Sequence, residues 1–125
     1  MKNKNIYELT NPQKSILFTE QFYSDTTVNN ICTSAIIYEE IDETLLKKAI
    51  YNVVKQNDSF RIHMISCEDN TIKQIISDFT EFNIDVSYID TEDDVKLLQE
   101  EEVKYKFEFL NSDLFKFKIF ILKNK

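Results

Sequence analysis

The chain has 125 residues, 42% apolar and 30% charged, which suits one domain around one core and excludes a disordered segment. Its net charge of -7 repels a phosphate backbone and an anionic bilayer surface, so neither nucleic acid nor membrane is an expected partner. Glycine is absent, which excludes phosphate-cradling and dinucleotide loops of the usual kinds, and with them the ordinary ATP, NAD and FAD sites.

No apolar run is long enough to span a bilayer, and none follows Met1-Lys2-Asn3-Lys4-Asn5 as a signal peptide requires. Cys32 and Cys67 do not make a disulfide framework and read as two reduced, partly buried thiols. The compartment these features imply is the cytoplasm.

Asn11-Pro12 predicts the start of a helix running to about Tyr23, because Asn caps well and Pro suits the first helical position. Ser24-Asp25-Thr26-Thr27 is a polar break. Ile31 to Tyr38, rich in β-branched residues, predicts a strand. Asp42 can cap a second helix ending near Asn57. Its Leu45, Leu46, Ala49, Ile50, Val53 and Val54 recur at helical spacing and predict one core-facing stripe. Phe60, Ile62 and Met64 alternate with Arg61 and His63, the period of a half-exposed strand. Glu68-Asp69-Asn70 predicts a turn and Ile72 to Ile76 a return strand, together a hairpin. Ile84, Val86 and Tyr88 mark another short strand. Thr91 and Asp94 predict the cap of a third helix running toward Tyr105. The last segment, Leu114 to Lys123, is apolar on both faces, as interior strands are. The sequence stops at Lys123-Asn124-Lys125, so a missing sheet neighbour and self-association through Leu114–Leu122 are expected. The whole pattern predicts an α/β fold, a two-layer sandwich of helices on a mixed sheet, as a single domain over 1–125.

Little in this pattern carries chemistry. His63 is the only histidine, and no Ser, Cys or Asp stands near it at a motif spacing. It reads as a surface or interface histidine. Cys32, Cys67 and His63 are too isolated to form a metal set. The acidic runs Glu92-Asp93-Asp94 and Glu100-Glu101-Glu102 read as a solvated helix face, the first also complementing the helix dipole.

Four strings, taken in order, do carry a resemblance. Tyr7-Glu8-Leu9-Thr10-Asn11-Pro12-Gln13, continuing through Phe18 to Tyr23, has the form "L-[ST]-x-x-Q" leading into an aromatic-rich helix. Val28-Asn29-Asn30-Ile31 is similar to a "Y-N-I" strand opening. Leu45 through Val54, then Asn57-Asp58-Ser59-Phe60-Arg61, is similar to an amphipathic helix ending in "R-H-E-x-L-R-T" or "N-D-x-L-R". Phe107-Glu108-Phe109-Leu110 and Asp113-Leu114-Phe115-Lys116-Phe117 are similar to "F-D-L…P-L-F-R". In this order the strings resemble the condensation domains of nonribosomal peptide synthetases.

The resemblance implies a chloramphenicol-acetyltransferase-like fold, of which this chain would be an incomplete half of the N-terminal lobe. It implies amide formation between an acyl donor and an amine acceptor, each on a peptidyl or acyl carrier protein. Phosphopantetheine then arrives on the carrier, and the chain needs no cofactor of its own. The family's H-H-x-x-x-D-G signature is missing here, so no catalytic residue is assigned and the chain alone is expected to be inactive. The remainder of the domain is an implied partner. Arg61 matches the motif arginine that in the family pairs with the signature aspartate; the alternative is a solvated strand arginine. Phe18 and Phe22 match positions that contact the acceptor carrier protein; the alternative is that both are core. Ser15 and Ser59-Phe60 depart from the family's usual residues and leave the subtype open. Two other functions remain compatible with the chain: a noncatalytic carrier-binding module, and a lobe of a coenzyme A-dependent acyltransferase.

Overall fold

A computed structural model of the chain describes residues 5–123. The lysine-containing start through Lys4 and the terminal Asn124-Lys125, read above for targeting and for the chain end, lie outside the described residues. In chain order the elements are β1 (Ile6–Tyr7), α1 (Asn11–Phe22), α2 (Glu43–Gln56), a 3-10 turn over Asp58–Arg61, β2 (Ile62–Ser66), β3 (Ile72–Ile76), β4 (Asp85–Ile89), α3 (Asp93–Glu102) and β5 (Lys118–Leu122). They form two compact units. Among the described residues the first comprises 5–10, Glu39–Asn83 and Phe107–Lys116; the second comprises Asn11–Tyr38, Ile84–Lys106 and 117–123.

The first unit is built on an antiparallel sheet in the order β1-β3-β2. The hairpin forms where turn chemistry dictates. Asn70 takes a positive φ of 63°, which its short polar side chain tolerates, and Cys67 and Thr71 close the loop through a 2.9 Å hydrogen bond. Met64 pairs with Gln74, and Ile6 of β1 pairs with Ile75 on the other side of β3. Buried Gln74 is satisfied by donating from Nε2 to the Glu8 carbonyl at 2.9 Å. β1 was not anticipated; two residues are too few to show a period.

Helix α2 begins as its sequence requires, with the Asp42 carboxylate accepting from the Leu45 N–H at 3.0 Å. Its apolar residues, however, occupy two stripes. Val54 is 2% exposed, with Leu46 and Ile50 part-buried along the same face, whereas Leu45, Ala49 and Val53 lie exposed. A row at i, i+4 and i+8 is internally consistent with burial, so periodicity alone could not tell which row meets the core. Aromatic rings complete this unit. Tyr51 packs edge-on against Phe79 and Phe82, Phe82 against Phe115, and Phe115 against Phe60, with centroids 5.0–6.0 Å apart. The Tyr51 hydroxyl donates to the Phe82 carbonyl at 2.6 Å.

In the second unit β4 and β5 pair in parallel, Val86 with Ile119 and Tyr88 with Ile121. Ile84 and Ile89 are its buried apolar residues. α3 ends at Glu102, three residues before the predicted limit, and Asp94 accepts from the Thr91 N–H at 3.2 Å, the reciprocal half of a capping box. The predicted strand over Ile31–Tyr38 does not form. The segment has no ladder partner among the described residues, and Ile31 is 91% exposed. It is held instead by α3 side chains: Gln99 donates to the Cys32 carbonyl at 3.3 Å and accepts from Ser34 at 3.0 Å. Asn30 donates to the Val103 and Tyr105 carbonyls at 2.8 and 2.6 Å, satisfying groups at the end of α3. β5 is also shorter than the predicted Leu114–Lys123.

Val54→Ala should destabilise the chain by about 2 kcal/mol, from two lost buried methyls and the cavity they leave; denaturant unfolding measures it. A loss below the error of the method would place Val54 outside the core. The hairpin turn should also respond to acid. The Thr71 hydroxyl, 2.5 Å from the Asp69 carboxylate, holds that carboxyl below the usual aspartate value of 3.8, helped by the Thr71 N–H. A depressed folded value adds stability that is complete above the ordinary aspartate pKa and is lost as pH falls through the depressed one. Protection of the Cys67–Thr71 amides, taken relative to their intrinsic exchange rates, should therefore fall below about pH 4. Thr71→Val should flatten that acid response, and an unchanged response would show that the contact has no part in it.

Candidate functional site

Arg61 ends the 3-10 turn that leads into β2. The turn points its side chain back over its own start, where Nη2 meets the Asp58 carboxylate at 2.5 Å. The Arg61 backbone and head group then engage the residue after β3. Its carbonyl accepts from the Ser77 N–H at 2.8 Å, and its Nη1 donates to the Ser77 carbonyl at 3.3 Å. The side chain is only 17% exposed, which overturns the solvated reading. The Arg61 Nε–H is buried and finds no acceptor among the described residues. A buried donor left unmet costs roughly 1–3 kcal/mol, and more on a charged group.

His63 lies beside it on β2, and its ring has two partners that the local sequence did not show. Its Nε2 is 2.7 Å from the Asp113 carboxylate and its Nδ1 is 2.8 Å from the Ser77 hydroxyl. A carboxylate can only accept, so the network places a proton on Nε2, while the Ser77 hydroxyl, which can donate or accept, meets Nδ1. Asp113 is brought to β2 by its own segment: the Asn111 N–H donates to the Met64 carbonyl at 2.8 Å, and Leu110 bridges Met64 in parallel. Arg61, His63, Ser77, Asp113, Val54 and Phe115 line one shallow depression in the first unit.

Serine, histidine and aspartate in contact invite comparison with an acyl-transfer triad. The geometry does not extend to one. The Ser77 N–H, the nearest candidate for an oxyanion donor, is spent on the Arg61 carbonyl. The cluster ties β2, the residue after β3 and the Asp113 segment together. Among the described residues no three His, Cys, Asp or Glu side chains are placed to hold a metal ion, and no helix is long and apolar enough to cross a membrane.

Phe18 and Phe22 sit in the second unit, away from any core. They are 68% and 69% exposed, and α1 buries no residue at all. Within this chain neither ring is covered. The two rings stack at 6.3 Å, and Phe22 meets Tyr23 edge-on at 4.9 Å, which makes one exposed aromatic cluster.

The sequence model of the Condensation domain family matches residues 3–125. This chain belongs to the condensation domain family. Surfactin synthase subunit 1 of Bacillus subtilis (strain 168) is 30% identical over 125 residues, covering 94% of this chain and 3% of that protein. The starter condensation domain of rhizomide synthetase RzmA superposes with a TM-score of 0.83 at 19% identity, covering 94% of this chain and 29% of that one. The condensation domain from Monacolin K polyketide synthase MokA gives 0.76 at 17%, covering 94% of this chain and 27% of that one. The chain thus spans under a third of each solved condensation domain and a few hundredths of the synthase. The mixed helix-and-sheet architecture expected of a chloramphenicol-acetyltransferase-like lobe is the one observed.

Sequence reasoning identified Arg61 and missed its neighbours. His63 and Asp113 are 50 positions apart, and His63 and Ser77 are 14 apart. The second separation was recoverable, because a hairpin register that pairs Ile62 with Ile76 brings position 77 up to the β2 start. The first depends on a nonlocal bridge that no local pattern announces.

Proposed function

We propose that this chain supplies the opening part of a domain that forms amide bonds between substrates carried on carrier proteins. In that reaction the acceptor amine attacks the donor thioester carbonyl; the C–N bond forms, the C–S bond breaks and the carrier thiol leaves. The observation that carries the reading is the buried Arg61 Nε–H with no acceptor among the described residues. The remainder of the domain would bring the H-H-x-x-x-D-G signature, and its aspartate would accept a hydrogen bond from that Nε–H. Arg61 would then hold the catalytic loop by a charge-assisted contact while staying tied to Asp58 and Ser77. The chain has no His-His pair, so by itself it should form no amide.

In the full-length protein that carries this chain, Arg61→Ala should slow amide formation from two loaded carrier proteins. It should also cost roughly 3–5 kcal/mol of stability, the usual scale for leaving a buried charge unpaired. Arg61→Lys should restore only part of the rate, because a compact ammonium cannot reach Asp58, Ser77 and a further carboxylate from the fixed positions of the planar guanidinium. A variant Arg61→Ala that matches the parent in both assays would remove the basis for the reading.

The aromatic cluster on α1 is the natural place for a carrier protein to dock. Rigid, amphipathic rings anchor interfaces at low entropic cost, and Phe18, Phe22 and Tyr23 are exposed together. Phe22→Ala should weaken carrier binding about tenfold, near 1.4 kcal/mol, while the melting temperature stays within a degree or so. A matching loss of stability with binding intact would place the docking surface elsewhere.

A further inference from the structure

We propose that His63 is a positioning residue: with Asp113 and Ser77 it fixes the orientation of the Arg61 guanidinium from behind. The proposal rests on the role for Arg61 given above and concerns side chains to which the resemblance assigns no role.

Two of the contacts on the Arg61 head group are weak by themselves. The Asp58 pair is local, and its carboxylate is 67% exposed, where water screens it. The Nη1 contact to Ser77 is long at 3.3 Å. The guanidinium is therefore only as well placed as Ser77. That residue follows the last paired position of β3, Ile76, beyond which the β2–β3 ladder gives no further support. Its backbone N–H returns to the Arg61 carbonyl, and its hydroxyl goes to His63 Nδ1 at 2.8 Å. His63 stands on a paired strand position, opposite Ile75, so it provides a fixed point. Asp113 holds the other end of the ring at 2.7 Å and keeps a proton on Nε2. The chain of contacts Asp113–His63–Ser77–Arg61 thus joins a nonlocal segment, β2 and the end of β3 to one cation.

None of these three side chains needs to touch substrate. Their effect is on where the Arg61 Nε–H points, so it should appear in the chemical step and not in carrier binding. Misplacing a group that organises a catalytic loop by a fraction of an ångström lowers rate steeply. His63→Phe keeps the ring and removes both nitrogens. His63→Gln retains an N–H that can reach Asp113. Asp113→Asn keeps the shape at an exposed position and weakens the anchor, which carries the test where the phenylalanine variant does not fold.

The test is steady-state amide formation by the full-length protein with two loaded carrier proteins. His63→Phe is expected to lower kcat on the order of tenfold with KM for either carrier unchanged. Asp113→Asn should lower kcat less, and His63→Gln should recover most of the lost rate. In an Arg61→Ala background, His63→Phe should add no further loss, because it acts through the arginine. If Arg61→Ala slows the reaction while His63→Phe and Asp113→Asn leave kcat at the parent value, the positioning role is wrong and the Arg61 reading stands. Full additivity of the Arg61 and His63 losses would also overturn it. If Arg61→Ala itself runs at the parent rate, it is the underlying functional reading that fails.

Discussion

The mutual hydrogen bonds of Arg61 and Ser77 are the point on which the first unit turns. They tie the end of the 3-10 turn to the end of β3, one through backbone groups that any residue pair could supply and the other through the Arg61 Nη1. What is particular to this sequence is the side chain carried on that tie. The Asp58 pair adds up to about 1 kcal/mol, since its carboxylate is largely exposed. The unmet Nε–H costs more than that. A site in which the cost exceeds the local gain is not explained by its own stability, and it makes sense as one half of a contact.

The rest of the first unit keeps that half in place. β3 is the only strand described with a ladder on both sides, where Gln74 and Ile75 pair with both β1 and β2. The edge-to-face series from Phe79 through Tyr51, Phe82 and Phe115 to Phe60 fills the space beside α2 with rings that have few rotamers. Phe60 immediately precedes Arg61, so the same packing limits the freedom of the turn that carries the cation. The second unit differs in kind. Its α1 exposes two phenylalanines, its parallel pair β4–β5 is short, and its extended segment over 31–38 is held by Gln99 and Asn30 instead of a ladder. It presents apolar surface, where the first unit presents a braced charge.

Local chemistry was legible in the sequence, and nonlocal pairing was not. Asp42 capped α2, Asn70 turned the hairpin, and β3 began and ended at Ile72 and Ile76, because each depends on residues a few positions apart. Ile31 to Tyr38 misled for the opposite reason. β-branched residues mark a segment that fits a sheet, yet a strand exists only when another chain segment supplies the hydrogen bonds. The double stripe on α2 and the exposure of Phe18 and Phe22 show the same limit, since apolar spacing gives the faces of a helix but not which face is covered. Arg61 was found because a motif names it. His63 was set aside because its partners come from Ser77 and Asp113, which only the folded sheet and a nonlocal bridge bring together.

Arg61 connects these levels: a motif position, a turn that buries it, a histidine network behind it and an unmet donor in front. The most direct measurement is an experimental structure of the full-length protein that carries this chain, read at one atom. The account predicts a carboxylate oxygen from outside residues 1–125 at about 3 Å from Arg61 Nε. An Nε that faces solvent there, or that bonds only within this chain, would contradict it.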